Sequence, residues 1–293
     1  MNWKDLVGLV RETIRGWSGR QTFQLGAALA FYAAFALAPT LVLAVALAGV
    51  VFGDDAAQGR LTSVLRDALG PTVSQAVTET LTYVHLTRSG WTASWVGFGL
   101  ILFAATALFT QLQLALNAIW EVRPKPGRGL WVMVRNRFLA FLLVLGTGAL
   151  LLVSLTTNSV LIVLHDLLPA PSAPRGLYLW DGLNWLTSLG LMTLLLAMIF
   201  KLLPDAVITW RDVVVGAFIT AVLFGLGNYL ICQYLCRFAA GGVYGAAGSL
   251  TVVMLWVYYS SQILLFGAEF TRHFADRHGE PIRPAAHAMC HPT

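Results

Sequence analysis

Charge is what this sequence lacks most. Asp, Glu, Lys and Arg together make up 11% of its 293 residues, where a soluble domain carries about 25%. A water-soluble fold of this length could not cover its surface with so few charged groups, and apolar residues reach 57%. Cysteine is scarcer still, at 3 residues, which excludes a disulfide-stapled scaffold. Glycine, at 27 residues without a period, excludes a collagen-like chain. The composition that remains is that of a polytopic membrane protein, all-α in class.

Ionisable residues are also missing from the middle of every long apolar run. Six such runs are long enough to cross a hydrocarbon core, which takes about 20 helical residues. They lie near Leu25–Val51, Ser94–Leu116, Phe138–Leu164, Leu183–Leu203, Val213–Leu235 and Leu250–Gly267. Helices are the expectation because a barrel strand would alternate in polarity, and these runs do not. The first run is too long for a signal-peptide core, and Asp5 and Glu12 precede it.

The net charge of +5 is explained by topology rather than by a nucleic-acid partner. Lys4, Arg11, Arg15 and Arg20 precede span 1, and Arg123, Lys125, Arg128, Arg135 and Arg137 follow span 2. Lys201 and Arg211 follow span 4, and Arg272, Arg277 and Arg283 follow span 6. The opposite side holds only Arg60, Arg66, Arg88, Arg175 and Arg237. This bias predicts both termini in the cytoplasm, in agreement with an even count of six spans.

Outside the spans, residues 1–20 read as an amphipathic helix. Trp3, Leu6, Val7, Val10, Ile14 and Trp17 fall on one face, which suits a helix lying on the cytoplasmic leaflet or, alternatively, one packed against the protein's own cytoplasmic loops. Residues 54–90 predict two external amphipathic helices broken at Gly70-Pro71. Residues 21–275 form the transmembrane domain, and residues 276–293, rich in Pro and Ala, read as a disordered cytoplasmic tail. His287, Cys290 and His291 in that tail are too few to predict a metal site, and no cofactor is expected.

The spans do carry uncharged polar residues in register. Thr106, Thr110, Gln113 and Asn117 share one face of span 2, continued by Glu121. Thr251, Tyr258, Gln262 and Glu269 share one face of span 6, and Thr147, Ser154 and Asn158 make a thinner stripe on span 3. Polar faces avoid lipid, so these stripes should face the bundle interior, either as interhelical glue or as the lining of a path. Pro39 interrupts span 1, and Gly241, Gly245 and Gly248 make the approach to span 6 a candidate helix break, of the kind that lines transporter sites. Close packing through small residues is the plainer explanation of the same glycines.

Several motifs carry a resemblance. They are Ala30-Phe31-Tyr32 with Leu37-Ala38-Pro39, Gln111-Leu112-Gln113 through Trp120, and Arg123-Pro124-Lys125-Pro126-Gly127-Arg128. Leu203-Pro204-Asp205, Trp210-Arg211-Asp212 and Tyr244-Gly245-Ala246-Ala247-Gly248-Ser249 running into Trp256 and Phe270 complete the set. Across roughly residues 20–275 the chain resembles the virulence-factor BrkB-like (YihY) family of bacterial inner-membrane proteins, formerly mislabelled ribonuclease BN. The resemblance implies six transmembrane helices and an envelope role, with serum resistance linked to one member, and no agreed substrate.

Two functions compete on this reading. The first is a transporter or facilitator of a small polar or zwitterionic solute or a lipid, lined by the stripe residues. The second is a non-transporting envelope or scaffold protein, alone or as a homo-oligomer in the bilayer. An enzyme is not expected: a nuclease needs clustered carboxylates or histidines and a basic face, and the 14 acidic residues are scattered.

Overall fold

The described apolar stretches fold as helices, since a helix satisfies its backbone hydrogen bonds within one segment. The computed structural model describes residues 3–19, 21–36, 106–125, 175–238, 245–285 and 288–290. Its helices are α1 (Trp3–Gly19), α2 (Thr22–Ala36), α3 (residues 106–119), α4 (Arg175–Leu202), α5 (Trp210–Phe238) and α6 (Gly245–His278). Two stretches within them are long and apolar enough to cross a membrane: Trp185–Leu202 of α4 and Trp210–Ile231 of α5, with mean hydropathy 1.8 and 2.0. Span 3, the external helices of residues 54–90, Pro39 and Gly241 lie outside the described residues. Gly245 is the first residue of α6, and Gly248 lies in its first turn.

The chain divides into two compact units. The first comprises Met1–Thr22, Gln113–Asn228 and Ile263–Thr293. Its core holds Leu9, Leu116, Ile119, Leu196, Phe200, Leu203, Val213 and Leu265. Trp120 meets Phe200 edge to face at 6.2 Å, and its indole N–H donates to the Ala268 carbonyl at 3.1 Å. Within this unit α5 and α6 meet through a reciprocal pair of small residues. Thr220 of α5 occupies the space beside Gly267 of α6, and Thr271 of α6 occupies the space beside Gly216 of α5. Each hydroxyl donates to the carbonyl four residues back, Thr220 to Gly216 at 2.7 Å and Thr271 to Gly267 at 2.8 Å. That back-bond satisfies the hydroxyl within its own helix, so the backbones can approach with no polar atom stranded.

The second unit comprises Phe23–Leu112 and Tyr229–Gln262. Leu29, Ala30, Ala36, Leu112, Ile231 and Val253 are buried there. Gln262 packs directly over Gly26 of α2, beside the ring of Tyr258.

Among the described residues, four short strands depart from the all-α expectation. β1 (Val122–Pro124) follows α3, β2 (Ala206–Val207) lies between α4 and α5, and β3 (Arg283–Pro284) and β4 (Ala288–Cys290) lie beyond α6. β1 pairs antiparallel with β4, Val122 opposite Cys290, and β2 pairs with β3, Ala206 opposite Pro284. The segment beyond residue 276, expected to be disordered, is therefore tied down as far as the described residues run. α6 itself continues to His278, and Ala288 is buried. The composition misleads because the restraint is in the backbone: short ladders recruit N–H and C=O groups whatever the side chains are.

Candidate functional site: a buried polar node

The polar face of α3 ends on a carboxylate. Gln113 and Asn117 are one helical turn apart, which places their amides on the same side. Both reach Asp205, in the short connection between α4 and β2. Its Oδ2 accepts from Gln113 Nε2 at 3.1 Å and from Asn117 Nδ2 at 2.9 Å. Asn117 also accepts, through Oδ1, the backbone N–H of Asp205 at 2.9 Å. The Asp205 carbonyl accepts from the Ala285 N–H at 3.0 Å, just beyond β3. Asp205 is 1% exposed, and Gln113 and Asn117 are 5% exposed. A carboxylate taken out of water costs several kcal/mol unless donors replace its hydration, and the two amides do so here.

Beside this clasp, α3 is fastened to α6. Arg272 Nη2 pairs with Glu121 Oε2 at 2.8 Å, and Nη1 donates to the Ile119 carbonyl at 2.5 Å. The guanidinium thereby satisfies one of the carbonyls that a helix C-terminus leaves open. Glu121 has φ 54°, the left-handed conformation usually given to glycine at this place. Across the connection, Lys201 donates to the Ile208 carbonyl and stands 5.4 Å from the Trp210 ring centroid, a cation–π arrangement at the end of α4.

A second buried carboxylate lies farther along α6. Glu269 is fully buried and packs directly against Gly16 of α1, with His273 Nε2 3.6 Å from its Oε1. A side chain at position 16 would overlap that carboxylate. Arg277 completes the attachment of α1: Nε and Nη2 hold the Glu12 carboxylate at 3.1 and 2.5 Å, and Nη1 donates to the Asp5 carbonyl at 3.1 Å. Its guanidinium packs against Gly8. Asp212, at the first turn of α5 and 1% exposed, packs against Gly279 just after α6. A carboxylate there suits the positive end of the helix dipole.

The sequence-nominated residues thus meet different fates. Gln113 and Asn117 converge on Asp205. Glu269 lies against Gly16, and Gln262 and Tyr258 lie at Gly26. Thr110 is exposed and donates to the Thr106 carbonyl of its own helix. Thr251 lies in α6. Cys290 is an exposed free thiol, and His287 and His291 lie outside the described residues. Asp205 was missed as a site residue although Leu203-Pro204-Asp205 stood among the motifs, because it falls in a connection and not on a helix face. Gly16 and Gly26 carried no sequence signal, since a glycine's partner is invisible until the facing helix is known.

The family profile described as Virulence factor BrkB matches residues 13–291. A UPF0761 membrane protein from Kangiella koreensis is 26% identical over 268 residues, covering 90% of this chain and 63% of that protein. One from Pseudomonas aeruginosa is 31% identical over 176 residues, covering 60% and 41%. One from Methylibium petroleiphilum is 29% identical over 294 residues, covering 91% and 65%. The chain therefore spans less than two thirds of the length of these relatives. No solved structure matches it at a significant level.

Proposed function

The chain belongs to the virulence factor BrkB family and is an integral membrane protein, and on that premise we propose that it moves a small polar or zwitterionic solute, or a lipid, across a bacterial inner membrane. The proposed architecture is six spans with cytoplasmic termini, on the distribution of Lys and Arg. The observation that carries the proposal is Asp205, a buried carboxylate held by the polar face of α3. Neutral amides alone would glue helices together without the desolvation cost of an acid, so a carboxylate buried in the connection after α4 supports a role beyond glue. In this reading the Asp205–Asn117–Gln113 clasp is a closed gate. Opening it releases one carboxylate and two amides, a set that suits ammonium and hydroxyl groups on a cargo. The reading is non-enzymatic and needs no cofactor.

A scaffold role in the envelope is the second reading, and one observation favours it: both amides are already engaged by the protein itself. Reconstitution separates the two. Proteoliposomes are offered labelled neutral and zwitterionic solutes, and in parallel fluorescent lipids whose crossing is read by dithionite bleaching. Transport predicts flux that changes about tenfold or more in Asn117→Ala and Asp205→Asn, a transition-state change above 1.4 kcal/mol. Absence of flux for every cargo, with the protein folded and inserted, favours the scaffold.

A further inference from the structure

α1 is packed on one side and bare on the other. Leu9 and Thr13 are fully buried, and Gly8 and Gly16 are covered by Arg277 and Glu269. This face is committed to α6, so α1 cannot rotate to hide its remaining side. On that side Val7, Val10 and Ile14 stay exposed, at 48%, 38% and 49%. They form a continuous stripe at i, i+3 and i+7. Arg11 and Arg15, also exposed and one turn apart, stand beside it, and these five residues line one shallow groove. The nearby acids do not cancel the arginines: the Glu12 carboxylate is held by Arg277 on the flank of the helix. α1 therefore presents an apolar strip with a positive margin. Gln21, at φ 56°, directly precedes the apolar helix α2, so in sequence the strip lies close to an apolar segment.

We infer that this face of α1 is a binding surface for anionic phospholipid, with Val7, Val10 and Ile14 seated among the acyl chains nearest the surface and Arg11 and Arg15 on headgroup phosphates. Guanidinium groups match phosphate oxygens in pairs, and each arginine near an anionic surface strengthens attachment about fivefold. Apolar contact alone would give no preference for anionic lipid. The surface is independent of the transport reading, because nothing in it depends on Asp205.

The test uses the full chain in nanodiscs, in a background with Cys232, Cys236 and Cys290 replaced. An environment-sensitive fluorophore is placed at Val10→Cys or Ile14→Cys, and at Leu226→Cys on the exposed face of α5 as a reference for lipid contact. Lipids carrying spin-label quenchers report proximity, in phosphatidylglycerol-rich and in pure phosphatidylcholine discs. The inference predicts quenching at positions 10 and 14 that is several-fold stronger in the anionic discs, and loss of that difference in Arg11→Gln/Arg15→Gln. Quenching at Leu226→Cys but none at 10 or 14 in either lipid overturns the surface. Equal quenching in both lipids, or a difference that survives removal of the arginines, overturns the headgroup assignment. Disulfide formation between Val10→Cys copies in place of quenching assigns the strip to a second chain and overturns it as well.

Discussion

α4 and α6 are both long helices rich in apolar residues, yet they are used in opposite ways. α4 leaves Trp185, Leu186 and Leu194 exposed, and only 17% of its apolar window is buried. α6 buries Gln262, Glu269 and Thr271 together with Gly267 and Ala268. In a soluble protein the leucine-rich helix would be the core and the polar one the surface. Here lipid is as apolar as leucine, so burying leucine between helices gains little, while small residues allow close approach and polar residues need each other. The small and polar residues mark where helices meet.

Seven substitutions break or sharpen this contrast. The largest effect is expected at Asn117→Leu, which removes both hydrogen bonds to Asp205 and leaves its carboxylate buried with one amide fewer. A loss of about 3 kcal/mol is expected, measured by thermal unfolding in detergent. Asp205→Asn in the same background should recover part of it, because the charge is then gone. Next is Gly267→Ala, whose methyl meets the Thr220 side chain. About 2 kcal/mol is expected there, and Gly216→Ala against Thr271 should match it, since the contact is reciprocal. By contrast Gly225 on α5 has open space where a Cβ would stand. Gly225→Ala should stabilise by about 0.5–1 kcal/mol through helix propensity alone. The smallest effect is expected at Leu194→Ala on the bare side of α4, within about 0.5 kcal/mol, whereas Phe200→Ala six residues on should cost about 3 kcal/mol. If Leu194 proved as costly as Phe200, the exposed side of α4 would be an interface and not a lipid face.

The sequence made the helices legible wherever a run of apolar residues was long, as in Trp185–Leu202 and Trp210–Ile231. It also made α1 legible, through helical spacing of Val7, Val10 and Ile14. It was silent on which side of α1 would be covered: Leu9 and Thr13 are the buried positions, flanked by two glycines. Amphipathicity reports the most apolar face, and here that face is the one left bare. The polar stripe on α3 was legible down to Asn117, but its partner was not, because Asp205 is brought to it by a connection 88 positions away. The tail was misread for a related reason, since strand pairing of residues 283–284 and 288–290 rests on backbone donors that composition does not reveal.

The account turns on whether the α3 stripe is a closed gate or permanent glue. Thiol accessibility along residues 106–117 decides it, with one cysteine at a time in membranes on a cysteine-free background, probed by a small polar reagent. A gate predicts slow labelling confined to the Thr106, Thr110 and Gln113 positions, accelerated when Asn117→Ala loosens the clasp. No labelling on that face in either background would contradict the account and leave the stripe as dry interhelical hydrogen bonding.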